Sequence, residues 1–95
     1  MISRDQLDIR LHAAQRMLER GVSVGDVLAA LNGGTTIEDY PDDTPYPSRL
    51  TLGWVGQRPL HVVWAMTPRE GRIVIITVYE PNSAEWNDDY CRRRR

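Results

Sequence analysis

Few side chains in this protein can move a proton near neutrality. There are two histidines, His12 and His61. His12 stands four residues before Arg16 in Leu11-His12-Ala13-Ala14-Gln15-Arg16. On a helix, residues i and i+4 share one side, so an imidazole would lie beside a permanent cation. His61 sits in Leu60-His61-Val62-Val63, an apolar run with strand character. A turn centred near Arg69 would fold Arg72 to Tyr79 back onto it. That register sets His61 opposite Thr77, with Tyr79 one pair further along on the same face. A slip of one residue changes the partner set. His61, His12, Arg16, Thr77 and Tyr79 are therefore the candidate catalytic residues. Together they offer a base, hydroxyls and a guanidinium that can grip an anion in a fork.

Each group also has a plain structural reading. His61 among aliphatic neighbours suits a satisfied sheet histidine, and Thr77 an ordinary strand residue. Tyr79 at a strand end suits an amphipathic plug with its hydroxyl in water. His12 and Arg16 suit a solvated helix side. Trp54 and Trp64 read as sheet-face fillers, and Trp86 as a pin for the C-terminal end.

Composition narrows the classes. Ninety-five residues make one small domain, expected over residues 1–90. Residues 91–95 form a basic, disordered end, with fraying from about Asn87. The single cysteine, Cys91, has no internal disulfide partner, and two His with one Cys give no spaced zinc pattern. Neither metal nor cofactor is expected. All twelve basic residues are Arg, which excludes lysine chemistry. The net charge is −1, and taking away the four positive charges of Arg92 to Arg95 leaves −5. A broad polyanion-binding surface is not indicated. No apolar run spans a bilayer and the N-terminus has no signal region, so the expected location is the cytoplasm, without membrane contact.

Ser3 and Gln6 have capping-box spacing and predict a first helix from about Arg4 to Arg20, ended by Gly21. Its apolar arc is Ile9, Ala13, Met17, Ala14 and Leu18. Ser23 and Asp26 open a second helix that Asn32-Gly33-Gly34 stops. Strand patterns follow over Thr35 to Tyr40, Arg49 to Val55, Leu60 to Met66 and Arg72 to Tyr79. A stiff acidic loop holds Pro41, Asp42, Asp43, Pro45 and Pro47. The expected fold is α+β: an N-terminal helical hairpin on a four-stranded antiparallel meander, α-α-β-β-β-β.

Five segments in order carry a resemblance. They are His12-Ala13-x-x-Arg16-Met17-x-Glu19-Arg20-Gly21-Val22-Ser23, Gly34-x-x-Ile37-Glu38-Asp39-Tyr40, Arg58-Pro59-Leu60-His61-Val62-Val63, Ile76-Thr77-Val78-Tyr79-x-Pro81, and Trp86. The chain resembles the bacterial DUF4258 family. At fold level that family is similar to compact RelE/BrnT-like toxins, metal-independent ribonucleases of toxin–antitoxin systems. The resemblance implies an RNA substrate, an antitoxin partner, and His12, Arg16, His61, Thr77 and Tyr79 as the matched polar positions. The absence of Lys and the negative charge depart from the basic character of ribosome-bound toxins.

Two functions follow as expectations. One is RNA cleavage without a metal: the 2′-OH attacks the adjacent phosphate, a histidine takes its proton, Arg16 holds the phosphate and Tyr79 orients it or donates a proton. The other is a non-catalytic protein-binding module or homodimer, using the loop from Pro41 to Pro47 or an open sheet edge.

Overall fold

The computed structural model describes residues 1–94; Arg95, the last of the terminal arginines, lies outside the described residues. Gln6 does reach back to the Ser3 backbone N–H, at 2.9 Å. The helix so opened is only one 3₁₀ turn, Arg4–Gln6. The chain then runs extended through β1 (Leu7–Ile9) and enters α1 (Leu11–Arg20) after Arg10. Helix propensity loses here to tertiary pairing. Leu7 and Ile9 lie in parallel beside Ile73 and Ile75 of β5 (Ile73–Tyr79). The Arg72 guanidinium pins the segment, donating to the carbonyls of Asp5 at 3.2 Å and Leu7 at 2.9 Å.

Gly21 ends α1 in the left-handed region (φ 64°), with its own N–H and that of Val22 folded back onto the last turn. Ser23 and Asp26 exchange side chain-to-backbone hydrogen bonds of 2.9 and 3.0 Å and start α2 (Val24–Gly33). The remaining strands are β2 (Thr35–Tyr40), β3 (Ser48–Val55) and β4 (Arg58–Met66).

The sheet order is β1-β5-β4-β3-β2. The fold is α+β as expected, but the sheet has five strands and is mixed, because β1 adds a parallel edge to the antiparallel meander. Both helices pack on one face, α1 against β5 and α2 against β3 and β4. That side holds the main core: Ala13, Met17, Val27, Ala30, Leu31, Leu60, Val62, Ile73, Ile75 and Val78. Gly53 lets α2 approach, since a methyl group there would overlap the Ala30 backbone. Only Ala13 and Met17 of α1 are fully buried; Leu11 and Leu18 point outward, 76% and 85% exposed.

The other face bears a second, smaller buried group that includes Leu50, Leu52, His61 and Trp86. Residues 82–94, expected to fray from Asn87, instead fold into a compact strap. Backbone bonds join Asn87 to Arg92 at 2.8 Å and Arg94 to Glu85 at 2.8 Å, and Trp86 bridges Arg93. Among the described residues, no helix is long and apolar enough to cross a membrane.

Candidate functional site

His61 and Tyr79 face each other directly across β4 and β5, while Thr77 pairs with Val63. The predicted His61–Thr77 opposition is off by two residues: the turn starts the ladder at Met66 and Ile73, one residue from the expected register, and a bulge adds the second. Strand β5 spends an extra residue at Ile76, where partner Thr77 of Val63 is followed by partner Ile75 of Trp64. The bulge moves Tyr79 level with the imidazole and turns Thr77 and Tyr79, which alternation from Ile73 and Ile75 would place on the helix side, to the face of His61.

The imidazole is fully buried, at 0% exposure. Its Nε2 lies 2.8 Å from the Tyr90 carbonyl and its Nδ1 lies 3.2 Å from the Tyr79 hydroxyl. A carbonyl only accepts, so Nε2 carries the proton and Nδ1 accepts from the phenol. The Trp86 and His61 rings meet perpendicular to each other, centroids 4.4 Å apart. Burial pushes the His61 pKa down, a trend that the Tyr90 carbonyl and Glu38 oppose and Arg93 reinforces. Burial likewise pushes the Tyr79 phenol up.

Next to this pair, Glu38 on β2 accepts from Arg93 Nε at 3.2 Å and Nη2 at 3.3 Å, and from the Tyr40 hydroxyl. Partial burial drives the Glu38 carboxyl up, but the hydrogen bonds from Tyr40 and Arg93 outweigh it and hold it below its ordinary value. Tyr40, partly buried beside that carboxylate, is pushed up to about 12. Arg93 also lies 4.6 Å over the Trp86 ring.

The residues expected from α1 do not join this cluster. Arg16 pairs with Glu19 at 3.0 Å, and His12 is exposed on the first turn. Among the described residues no hydrogen bond links either to His61, Thr77 or Tyr79. The cause is sheet geometry: α1 carries Arg16 over the opposite face, while His12 at its first turn lies at the edge of the bare face beside Ile76. Conversely, Glu38, Tyr40, Trp86, Tyr90 and Arg93 surround the histidine, and none of them is among the candidate catalytic residues read from sequence, where Trp86 is expected only to pin the C-terminal end. Glu38 and Tyr40 had a signal, the strand spacing i, i+2. Tyr90 and Arg93 had none, since only the folded strap brings them near.

His12 belongs elsewhere. With Arg10 it forms one lip of an open groove of about 420 Å³. The loop residues Asp43 to Tyr46 form the other lip, and Ala65, Val74 and Ile76 form the floor. The volume is that of a small recognition site. No cluster of three His, Cys, Asp or Glu is placed to share a metal ion among the described residues.

With the strap in place, an external phosphate cannot meet the His61 imidazole, whose two nitrogens are already occupied. The groove is accessible, and it combines apolar floor with charged rim.

The family model for DUF4258, a domain of unknown function, matches residues 9–80. No curated protein and no solved structure matches the chain.

Proposed function

The chain belongs to the DUF4258 family, and on that premise we propose that it is a protein-binding module that takes an apolar segment of a partner in the groove between the α1 entry and the Pro41–Pro47 loop. One observation carries this reading. The groove has an apolar floor of Ala65, Val74 and Ile76, lies on the sheet face the helices leave bare, and is walled by Arg10, His12 and Tyr46. An apolar segment bound there gains by removing Ile76 from water, and the rim fixes its direction. The test is cross-linking from a photoreactive side chain at position 76 in the organism's own extract. A discrete protein adduct is expected, and Ile76→Glu or Tyr46→Ala should prevent complex formation while leaving circular dichroism unchanged. Adducts to RNA only, or capture unaffected by both variants, would refute it.

A second reading, a toxin-like metal-independent endoribonuclease, is favoured by the contact of His61 with Tyr79 beside Glu38 and Arg93. That set contains a base, a phenol, a carboxylate and a guanidinium. It requires the strap to move. Expression toxicity lost in both His61→Ala and Tyr79→Phe would support it; toxicity absent from the parent chain would end it.

A further inference from the structure

The strap is more strongly tied to itself than to the sheet. Internally, besides its backbone bonds, Arg94 donates to the Ser83 carbonyl at 2.6 Å and to Asp88 at 3.0 Å. Among the described residues, its hydrogen bonds to the sheet come at two places: His61 to the Tyr90 carbonyl, and Arg93 to Glu38. Packing adds the perpendicular contact of Trp86 with the imidazole and the Tyr90 ring against Trp54, centroids 6.1 Å apart. His61 therefore takes part in two of these four attachments. Tyr90 is held at φ 58°, a left-handed conformation costly for a residue with a side chain, so surroundings must hold it there.

We propose that residues 82–94 are a strap clasped by the neutral His61 imidazole and released as a unit when that imidazole takes a proton. The neutral ring satisfies both its neighbours. Protonation makes Nδ1 a donor aimed at a phenol that had been donating, and it places a charge on a fully buried ring. Every charged or titratable group facing the ring enters the balance. Arg93 of the strap repels the imidazolium, Glu38 of β2 attracts it, Tyr79 of β5 and Tyr40 of β2 are neutral, and Leu52 of β3 is apolar. Glu38 and Arg93 form one ion pair, so their opposed effects on the ring partly cancel and burial sets the balance. Lifting the strap lets water solvate the charged ring and uncovers the face bearing Tyr79 and Glu38. The proposal is independent of the groove.

Fluorine NMR of the full chain containing fluorotryptophan tests it, with the three tryptophans assigned by single Trp→Phe variants. Below the ordinary histidine value of 6.5, the Trp86 signal should move to a solvent-exposed position. The opening constant should rise by up to about tenfold per pH unit for one linked proton. The Trp64 signal, from the helix-side core, should stay unchanged. His61→Gln should lose the pH dependence in this range, whereas Glu38→Gln should keep it. If His61→Gln does not fold, the ring-proton titration of His61 in the parent chain must share its midpoint with the Trp86 transition. The proposal fails if Trp86 stays buried to about pH 5, if Trp64 and Trp86 move together, if Glu38→Gln alone removes the transition, or if the two midpoints differ.

Discussion

The Nε2 of His61 reaches the carbonyl oxygen of Tyr90 at 2.8 Å, joining the centre of the sheet to a residue 29 positions later. A histidine that looks like a catalytic base in sequence thus spends its proton on holding the chain's own C-terminal segment.

Removing the phenol that completes this arrangement has a calculable cost. Tyr79→Phe leaves His61 Nδ1 buried without a donor, and an unsatisfied buried group costs about 1–3 kcal/mol. The urea midpoint should fall with the slope unchanged. A change under a few tenths of a kcal/mol would show that water or another donor already serves Nδ1.

Stability should decline on acidification in two windows. The His61 pKa is lower in the folded chain, so the unfolded chain binds the proton first. The stabilisation is complete above the ordinary value of 6.5 and is lost as pH falls below it toward the depressed folded value. The slope approaches about 1.4 kcal/mol per pH unit at most. Glu38, also lowered, adds a second loss below its ordinary value of 4.5. Urea titrations across pH check this, and the first window should vanish in His61→Gln.

Gly53→Ala should destabilise the fold strongly. The new methyl overlaps the Ala30 backbone, so α2 must lift from β3. Overpacking of this kind costs about 1–3 kcal/mol, and backbone against backbone belongs at the upper end. Gly33→Ala, where nothing lies within 4 Å, is the control and should be neutral or slightly stabilising in the same unfolding assay.

Met17→Ala and Leu18→Ala separate neighbours that the sequence placed on one apolar arc. Met17 is buried in the helix-side core and should cost about 2–5 kcal/mol. Leu18 is exposed and should stay within about 0.5 kcal/mol. Comparable losses at both positions would mean that Leu18 is covered in solution.

Much of the local structure was legible. The Ser23–Asp26 box, the Gly21 stop and the strand Thr35–Tyr40 lie where their signals place them, because capping and alternation act within a few residues. Residues 4–10 were not, although Leu11–Arg20 is helical as expected. Periodicity there suits one helix, yet Leu7–Ile9 pair with β5, whose free edge lies more than sixty residues away. The site followed the same division. Strict alternation from Ile73 and Ile75 would put Tyr79 on the helix side with them; the Ile76 bulge turns Thr77 and Tyr79 to the face of His61 and sets Tyr79 opposite it.

The sequence by itself determined an α+β domain of DUF4258 type, its two helices and its meander strands, since spacing and turn chemistry are local properties. Tertiary structure alone decided that α1 covers one face while His61 lies on the other, which separates Arg16 from that histidine, and that His12 instead borders the groove beside Ile76. It also decided that Trp86, Tyr90 and Arg93 close over that histidine. The physical reason is that burial and hydrogen-bond satisfaction at His61 are settled by groups far away along the chain, and no periodicity encodes which distant carbonyl will accept its proton.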